Sequence, residues 1–498
     1  MSEKLDQLKE ILGEVSDLGH AGAILSWDQQ VNMPPAGGEA RGQQLATLGK
    51  LAQEKFTSDE MGILLEDLKK EFPDPDTDEG ALVRVTARDY NKAKRVPADF
   101  VAEQALAATQ GLDAWVEAKG KSDFSIFRPF LEKNVELVKK YISFFPPADH
   151  PYDVLLDDYE PGLPTAEVQE IFGNLRPKQV ELIKSISETK QVKDDFLHKS
   201  FNEGKVWGFG ESIITKFGYD FNRGRQDKAP HPFETTFNVN DVRITNRFEK
   251  NAPLATLFSA MHECGHALYE MGSNPAYERT PLAGGTSLAV HESQSRMWEN
   301  LVGRSLPFWE HFYPDLKKTF SSQLDGVGLK AFYKAINKVE PSFIRVNADE
   351  ATYNMHIMLR LEIEIGMVDG SIEIKDLPDI WNAKMEDYLG VVPPNDAQGV
   401  LQDIHWSYGS IGYFSTYALG NIISAQLWEK INKEIKDLDE QIRKGQFGEL
   451  REWLRANIHV YGHKYDPRDI VRKVTGEDID SAAYVRYLTK KYSEIYGL

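Results

Sequence analysis

The sequence predicts a mainly α-helical protein with one small β-sheet. Three observations carry this reading. Apolar residues recur at three- and four-residue steps along most of the chain, as one buried helical face requires. Helix breakers fall between these stretches, at Pro73-Asp74-Pro75-Asp76, Pro146-Pro147 and Pro393-Pro394. Period-two alternation is confined to a single region, 232–247.

Taken in order, Leu5, Leu8, Ile11, Leu12 and Val15 mark the buried face of an N-terminal helix. Similar patterns predict helices within 97–120, 128–145, 165–190, 308–339, 422–444 and 447–460. The stretch 70–80 (KEFPDPDTDEG) reads as a turn or exposed loop within one body. Phe233, Thr235, Phe237 and Val239, then Val242 and Ile244 after a turn at Asn240-Asp241, predict a short hairpin. Residues 254–271 (LATLFSAMHECGHALYEM) are strongly apolar and free of proline, which predicts a buried helix. A further helix is expected over 288–302 (LAVHESQSRMWENLV).

The 498 residues are 41% hydrophobic, ample for a large core, and carry a net charge of −19. Phosphate binding needs clustered Lys and Arg on one face, and no such stripe is visible, which argues against nucleic acid as a partner. No uncharged apolar stretch approaches the roughly 20 residues that span a bilayer, and the charged N-terminus lacks a signal-peptide core. The single cysteine, Cys264, excludes an intrachain disulfide. The expectation is a soluble cytoplasmic protein forming one catalytic domain over 1–498.

The chemistry is concentrated on the apolar helix. His262 and His266 are four positions apart, and a helix advances about 100° per residue, so both imidazoles lie on one face. Placed so, they suit one tetrahedral zinc ion. Glu263 follows the first histidine, close enough to reach a metal-bound water and serve as general base. Polar groups on so apolar a helix are expensive to bury unless something pairs with them, and a metal does that. Catalytic zinc needs a third protein ligand, and Glu292, about 25 residues after His266, has the spacing of such a ligand. Glu299 reads as an ordinary surface residue of the same helix, and Cys264 as a small packing residue.

At this point six ordered motifs resemble those of the thermostable metallocarboxypeptidases, the Taq-type carboxypeptidases. They are His231-Pro232-Phe233, Asp241-Val242-Arg243-Ile244-Thr245, His262–His266, His291-Glu292-Ser293-Gln294, Ile344–Asp349 and Gly399–Trp406. They span 231–410 without departure at a fixed position. The resemblance implies a helical zinc-peptidase fold with a long central groove and the metal at its floor. It also implies a homodimer that removes single residues, with broad preference, from peptides with a free C-terminus. Zinc would be held by His262, His266 and Glu292, with cobalt or manganese as possible substitutes.

A tetrahedral intermediate needs a donor for its oxyanion. Tyr417 is favoured, because a similar Gly-Tyr-x-x-x-Tyr arrangement occurs in related helical zinc peptidases; Tyr413, His231 and His405 are the other donors considered. A free carboxylate calls for an arginine fork. Arg345 is the first candidate and Arg468 the second, while Arg243 is expected to pair with Asp241. His405 is read as a brace for a ligand or the substrate backbone, Trp406 as core, and Asp349 as orienting a ligand histidine. Residues 1–70 are expected to cover the groove as a helical lid, with Trp27, Asp28 and Met33-Pro34-Pro35 near its opening. Endopeptidase or dipeptidyl carboxypeptidase action on the same scaffold stays open, as does a catalytically silent peptide-binding protein.

Overall fold

The computed structural model describes residues 2–498. The chain is mainly helical, with a single three-stranded sheet among the described residues. It divides into two compact units, each assembled from three separated segments. The first comprises the segment up to Lys94, Lys193–Ile336 and Leu427–Gly476. The second comprises Arg95–Val192, Asn337–Gln426 and Glu477–Leu498. No helix of the described residues is long and apolar enough to cross a membrane.

In the first unit, helix Glu3–Val31 buries Leu5, Leu8 and Leu12, the face its spacing predicts. These side chains pack with Met61, Leu65 and Leu68 of helix Asp59–Glu71 and with Leu82 and Val85 of helix Asp78–Arg95. Ser58 caps the second of these helices, its side chain accepting a hydrogen bond from the Met61 amide. The loop expected at 70–80 is the turn between these last two helices. Trp27 is buried against the guanidinium groups of Arg243 and Arg225. Helix Gly38–Phe56, by contrast, has no buried residue.

The sheet consists of β1 (Gln226–Lys228), β2 (Glu234–Asn238) and β3 (Asp241–Asn246) in the order β1-β3-β2. β2 and β3 form the expected hairpin, with Thr235 opposite Arg243 and Thr236 opposite Val242. β1 is an addition, parallel to β3. Val242 and Ile244 are fully buried, and β3 packs on helix Ala255–Met271, the metal helix. Two motifs meet here. Thr245 exchanges hydrogen bonds with Phe233, and Asp241 pairs with Arg243 through two contacts of 2.8 Å.

The second unit contains the expected helices Ala98–Lys121, Phe124–Ile142 and Thr165–Ser187. Two of the longer expectations are interrupted. The 308–339 pattern is two helices, Leu306–Thr319 and Leu329–Ile336, separated by a segment in which Gly326 adopts a φ of 70°. The 422–444 pattern likewise divides into Ser415–Glu434 and Leu438–Arg443.

Candidate metal centre

The metal helix carries His262 and His266 on one face, their ring centroids 4.9 Å apart. Helix Leu288–Arg296 packs against it and carries Glu292. Ser287 fixes the start of that helix by accepting a hydrogen bond from the Val290 amide. The two helices approach closely because position 265 is glycine. A Cβ there would lie 2.6 Å from the Ser295 Cα and 2.7 Å from the Gln294 carbonyl oxygen. The approach brings Glu292 Oε2 to 3.5 Å from His262 Nε2 and 3.4 Å from His266 Nε2.

One donor atom from each residue falls within 4.8 Å of the others. Two imidazole nitrogens and a carboxylate oxygen, converging in a largely buried place, fit a catalytic divalent metal of the zinc type. Burial opposes ionisation of Glu292, but Arg296 and the two imidazoles outweigh it and hold the carboxyl well below its usual range. Arg296 Nε donates to Glu292 Oε1 at 2.7 Å. Glu263 behaves differently. It is buried, and burial pushes its carboxyl up to about 7 despite the neighbouring His262. Cys264 is fully buried and its thiol is pushed up by burial, in keeping with a packing role.

Both imidazoles of the candidate site are held from behind. His262 Nδ1 lies 3.0 Å from Glu299 Oε2, and Glu299 is gripped by Arg296 and Arg304. Burial opposes ionisation here too, yet the His262 bond and the arginines bring the Glu299 carboxyl down to about 2. Glu299 is therefore part of the site, not an ordinary surface residue. It stands on a π-helical turn, Met297–Val302, that continues the ligand helix; such turns are frequent at functional sites. His266 Nδ1 is hydrogen-bonded to His291 Nδ1, and His291 Nε2 lies 2.8 Å from Glu270 Oε1. A signal for both carboxylates is present in the sequence. Glu270 repeats the four-residue step of His262 and His266, and Glu299 shares a helical face with Glu292 and Arg296.

The other expected residues are distributed as follows. His231 is exposed, and its carbonyl accepts from Thr245 Oγ1. Arg468 stands in the first turn of helix Pro467–Thr475. Both belong to the first unit. Arg345, His405 and Tyr417 gather in the second. Arg345 is 7% exposed, with Nε and Nη2 donating to Asp403 Oδ1 and Nη1 to the Tyr353 hydroxyl. Its guanidinium carbon lies 5.2 Å from the Tyr417 ring centroid. Asp403 Oδ2 is taken by the fully buried Arg360, so two guanidinium groups share one carboxylate. His405 stacks on Tyr413, whose hydroxyl accepts from the Tyr417 hydroxyl at 3.3 Å.

Gln402 ties two of the motifs together, accepting from the Arg345 amide and donating to the Phe343 carbonyl. Trp406 is core, its indole donating to Glu364. Asp349 does not orient a histidine. It accepts from the amides of Ala351, Thr352 and Glu340 and so closes the turn before helix Tyr353–Asp369.

Comparison with known proteins shows the family. The family described as Carboxypeptidase Taq (M32) metallopeptidase matches residues 7–492. Carboxypeptidase 1 of Bacillus subtilis is 37% identical over 98% of both chains. Thermostable carboxypeptidase 1 of Thermus thermophilus is 39% identical over the same share. The crystal structure of the M32 carboxypeptidase from Deinococcus radiodurans superposes with a TM-score of 0.97, covering 100% of both chains at 38% identity. The chain belongs to the carboxypeptidase Taq (M32) family of metallopeptidases.

Proposed function

We propose that the protein is a zinc-dependent carboxypeptidase that removes single residues from peptide C-termini with broad preference. The observation that carries this reading is the convergence of His262 Nε2, His266 Nε2 and Glu292 Oε2 at the helix that also buries Glu263. His262, His266 and Glu292 would hold the zinc, for which cobalt or manganese could substitute, and the bound ion would supply Lewis-acid polarisation and an acidified water. Glu263 takes the proton released by the attacking water and returns it to the departing amine.

Tyr417 is the proposed oxyanion donor. Burial pushes its phenol well above the ordinary value, so it retains the proton it must donate. His231 is the second donor considered. Arg345 is the proposed partner of the substrate carboxylate, with Arg468 as second candidate. The Arg345 guanidinium lies against the Tyr417 ring, so the two proposed groups belong to one cluster. His405 braces the substrate backbone. Helix Gly38–Phe56, with no buried residue, suits the proposed covering role of the N-terminal 70 residues. The family resemblance extends the proposal to a homodimer, and the single cysteine suits a reducing, cytoplasmic setting.

Mass spectrometry of a medium-length peptide tests the reading, using metal-loaded enzyme, its Glu263→Gln variant and a chelated control. A ladder of single-residue losses from the C-terminus, absent from both controls, is the expected result. Internal cuts or dipeptide losses would replace the exopeptidase assignment with one of the related peptidase modes. No cleavage across varied peptides and metals would leave a silent peptide-binding protein.

A further inference from the structure

The two ligand imidazoles are backed by different devices, and hydrogen-bond polarity gives these devices a task. Glu270 Oε1 already accepts from the Gly285 amide at 3.0 Å. It therefore faces His291 Nε2 as an acceptor, and that nitrogen carries the hydrogen. In neutral His291 the other nitrogen, Nδ1, is then a bare lone pair directed at His266 Nδ1. His266 must donate from Nδ1, which leaves its Nε2 unprotonated on the side of Glu292. The opposite polarity would put the hydrogen on His266 Nε2, where no metal could bind.

Glu299 imposes the same tautomer on His262 by a single direct contact. The space behind His291 admits little freedom, because a Cβ at Gly285 would lie 2.6 Å from the His291 Cδ2. Adjacent residues on one helix thus divide the work: Glu292 faces the metal position, and His291 stands behind the neighbouring ligand.

We infer that His291, fixed by Glu270, and Glu299 are positioning residues that set the tautomer and ring orientation of His266 and His262. This rests on the metal-site reading above. Partners of this kind are worth about 10–100-fold in metal affinity. The test compares His291→Leu, which removes the acceptor, with His291→Asn, whose Oδ1 occupies the acceptor position of Nδ1. Glu299→Leu and Glu299→Gln form the matching pair.

Zinc affinity by chelator competition, the visible absorption of the cobalt-loaded protein and the melting temperature of the chelated protein are measured for each. The leucine variants are expected to lose about 10–100-fold in zinc affinity and to shift the cobalt spectrum. The amide variants are expected to recover most of the affinity while melting, metal-free, alongside the leucine variants. Wild-type affinity in the leucine variants would overturn the inference. So would amide variants that bind no better than leucine at equal metal-free stability. Zinc binding that survives His266→Ala would instead show that the metal site itself is misassigned, and the relay would fall with it.

Discussion

Gly265 and Glu263 are two positions apart and answer to different constraints. At 265 the constraint is space, because the nearest obstacles to a side chain are backbone atoms of Ser295 and Gln294, which cannot swing aside. Gly265→Ala is expected to lower stability by about 1–3 kcal/mol through this overpacking. It should also weaken metal binding, since it forces Glu292 away from the histidines; a thermal melt with and without zinc checks both. At 263 the constraint is chemical. Glu263→Gln keeps the shape and removes the base, so kcat should fall by about 10²–10⁴-fold while zinc affinity stays near wild type. An active Gln variant would remove Glu263 from the mechanism.

The convergence of His262, His266 and Glu292 was legible because the four-residue step and the apolar surroundings of the two histidines are local signals. The Arg345–Asp403–Arg360 cluster was not. Its members are far apart in sequence, and only the folded chain shows that the Arg345 fork already holds a carboxylate.

Among the elements, helix Tyr353–Asp369 gives the clearest dependence on pH. Its Glu364 is fully buried and accepts from the Tyr152 hydroxyl, the Trp406 indole and the Gly412 amide. Burial nevertheless dominates these donors and pushes the carboxyl up to about 7. A folded pKa above the unfolded one means that the group's stabilising contribution is complete below the unfolded pKa of about 4.3. That contribution is lost as pH rises through about 7. Glu364→Gln is expected to be less stable overall, because its amide nitrogen cannot accept and must face at least one of the three donors. Its loss of stability between pH 5 and pH 8 should nevertheless be smaller than in wild type, as urea melts at the two values would show. An unchanged difference would assign the dependence to other groups.

Element boundaries were legible where apolar spacing and breakers agree, as at 165–187. They were misread where one amphipathic face continues across a break, as between Leu306–Thr319 and Leu329–Ile336. β1 escaped notice because Gln226-Asp227-Lys228 has no apolar alternation; its place in the sheet comes from pairing with β3.

For the molecule as a whole, the interleaving of segments is the governing fact. Neither unit corresponds to one continuous stretch of chain, so neither is expected to survive as a fragment. The stretch 193–336, which holds every proposed metal ligand, should lack a cooperative melt when expressed alone; a sharp transition near that of the full chain would contradict this. Metal removal should also register globally. A ligand present at 1,000 times its dissociation constant adds about 4 kcal/mol to the stability of the form that binds it. Chelation is accordingly expected to lower the melting temperature of the wild type and to leave that of a His266→Ala variant unchanged.

The lone cysteine offers a way to watch this happen. Cys264 sits between the two ligand histidines, is sealed from solvent, and is the sole thiol in the chain. A thiol-reactive reagent can reach it only when the metal helix opens, so the labelling rate acts as a clock for that opening and needs no engineered probe. Zinc should slow the clock, and the ratio of rates with and without metal would measure, in one residue of the native protein, how much of the stability is local to the site.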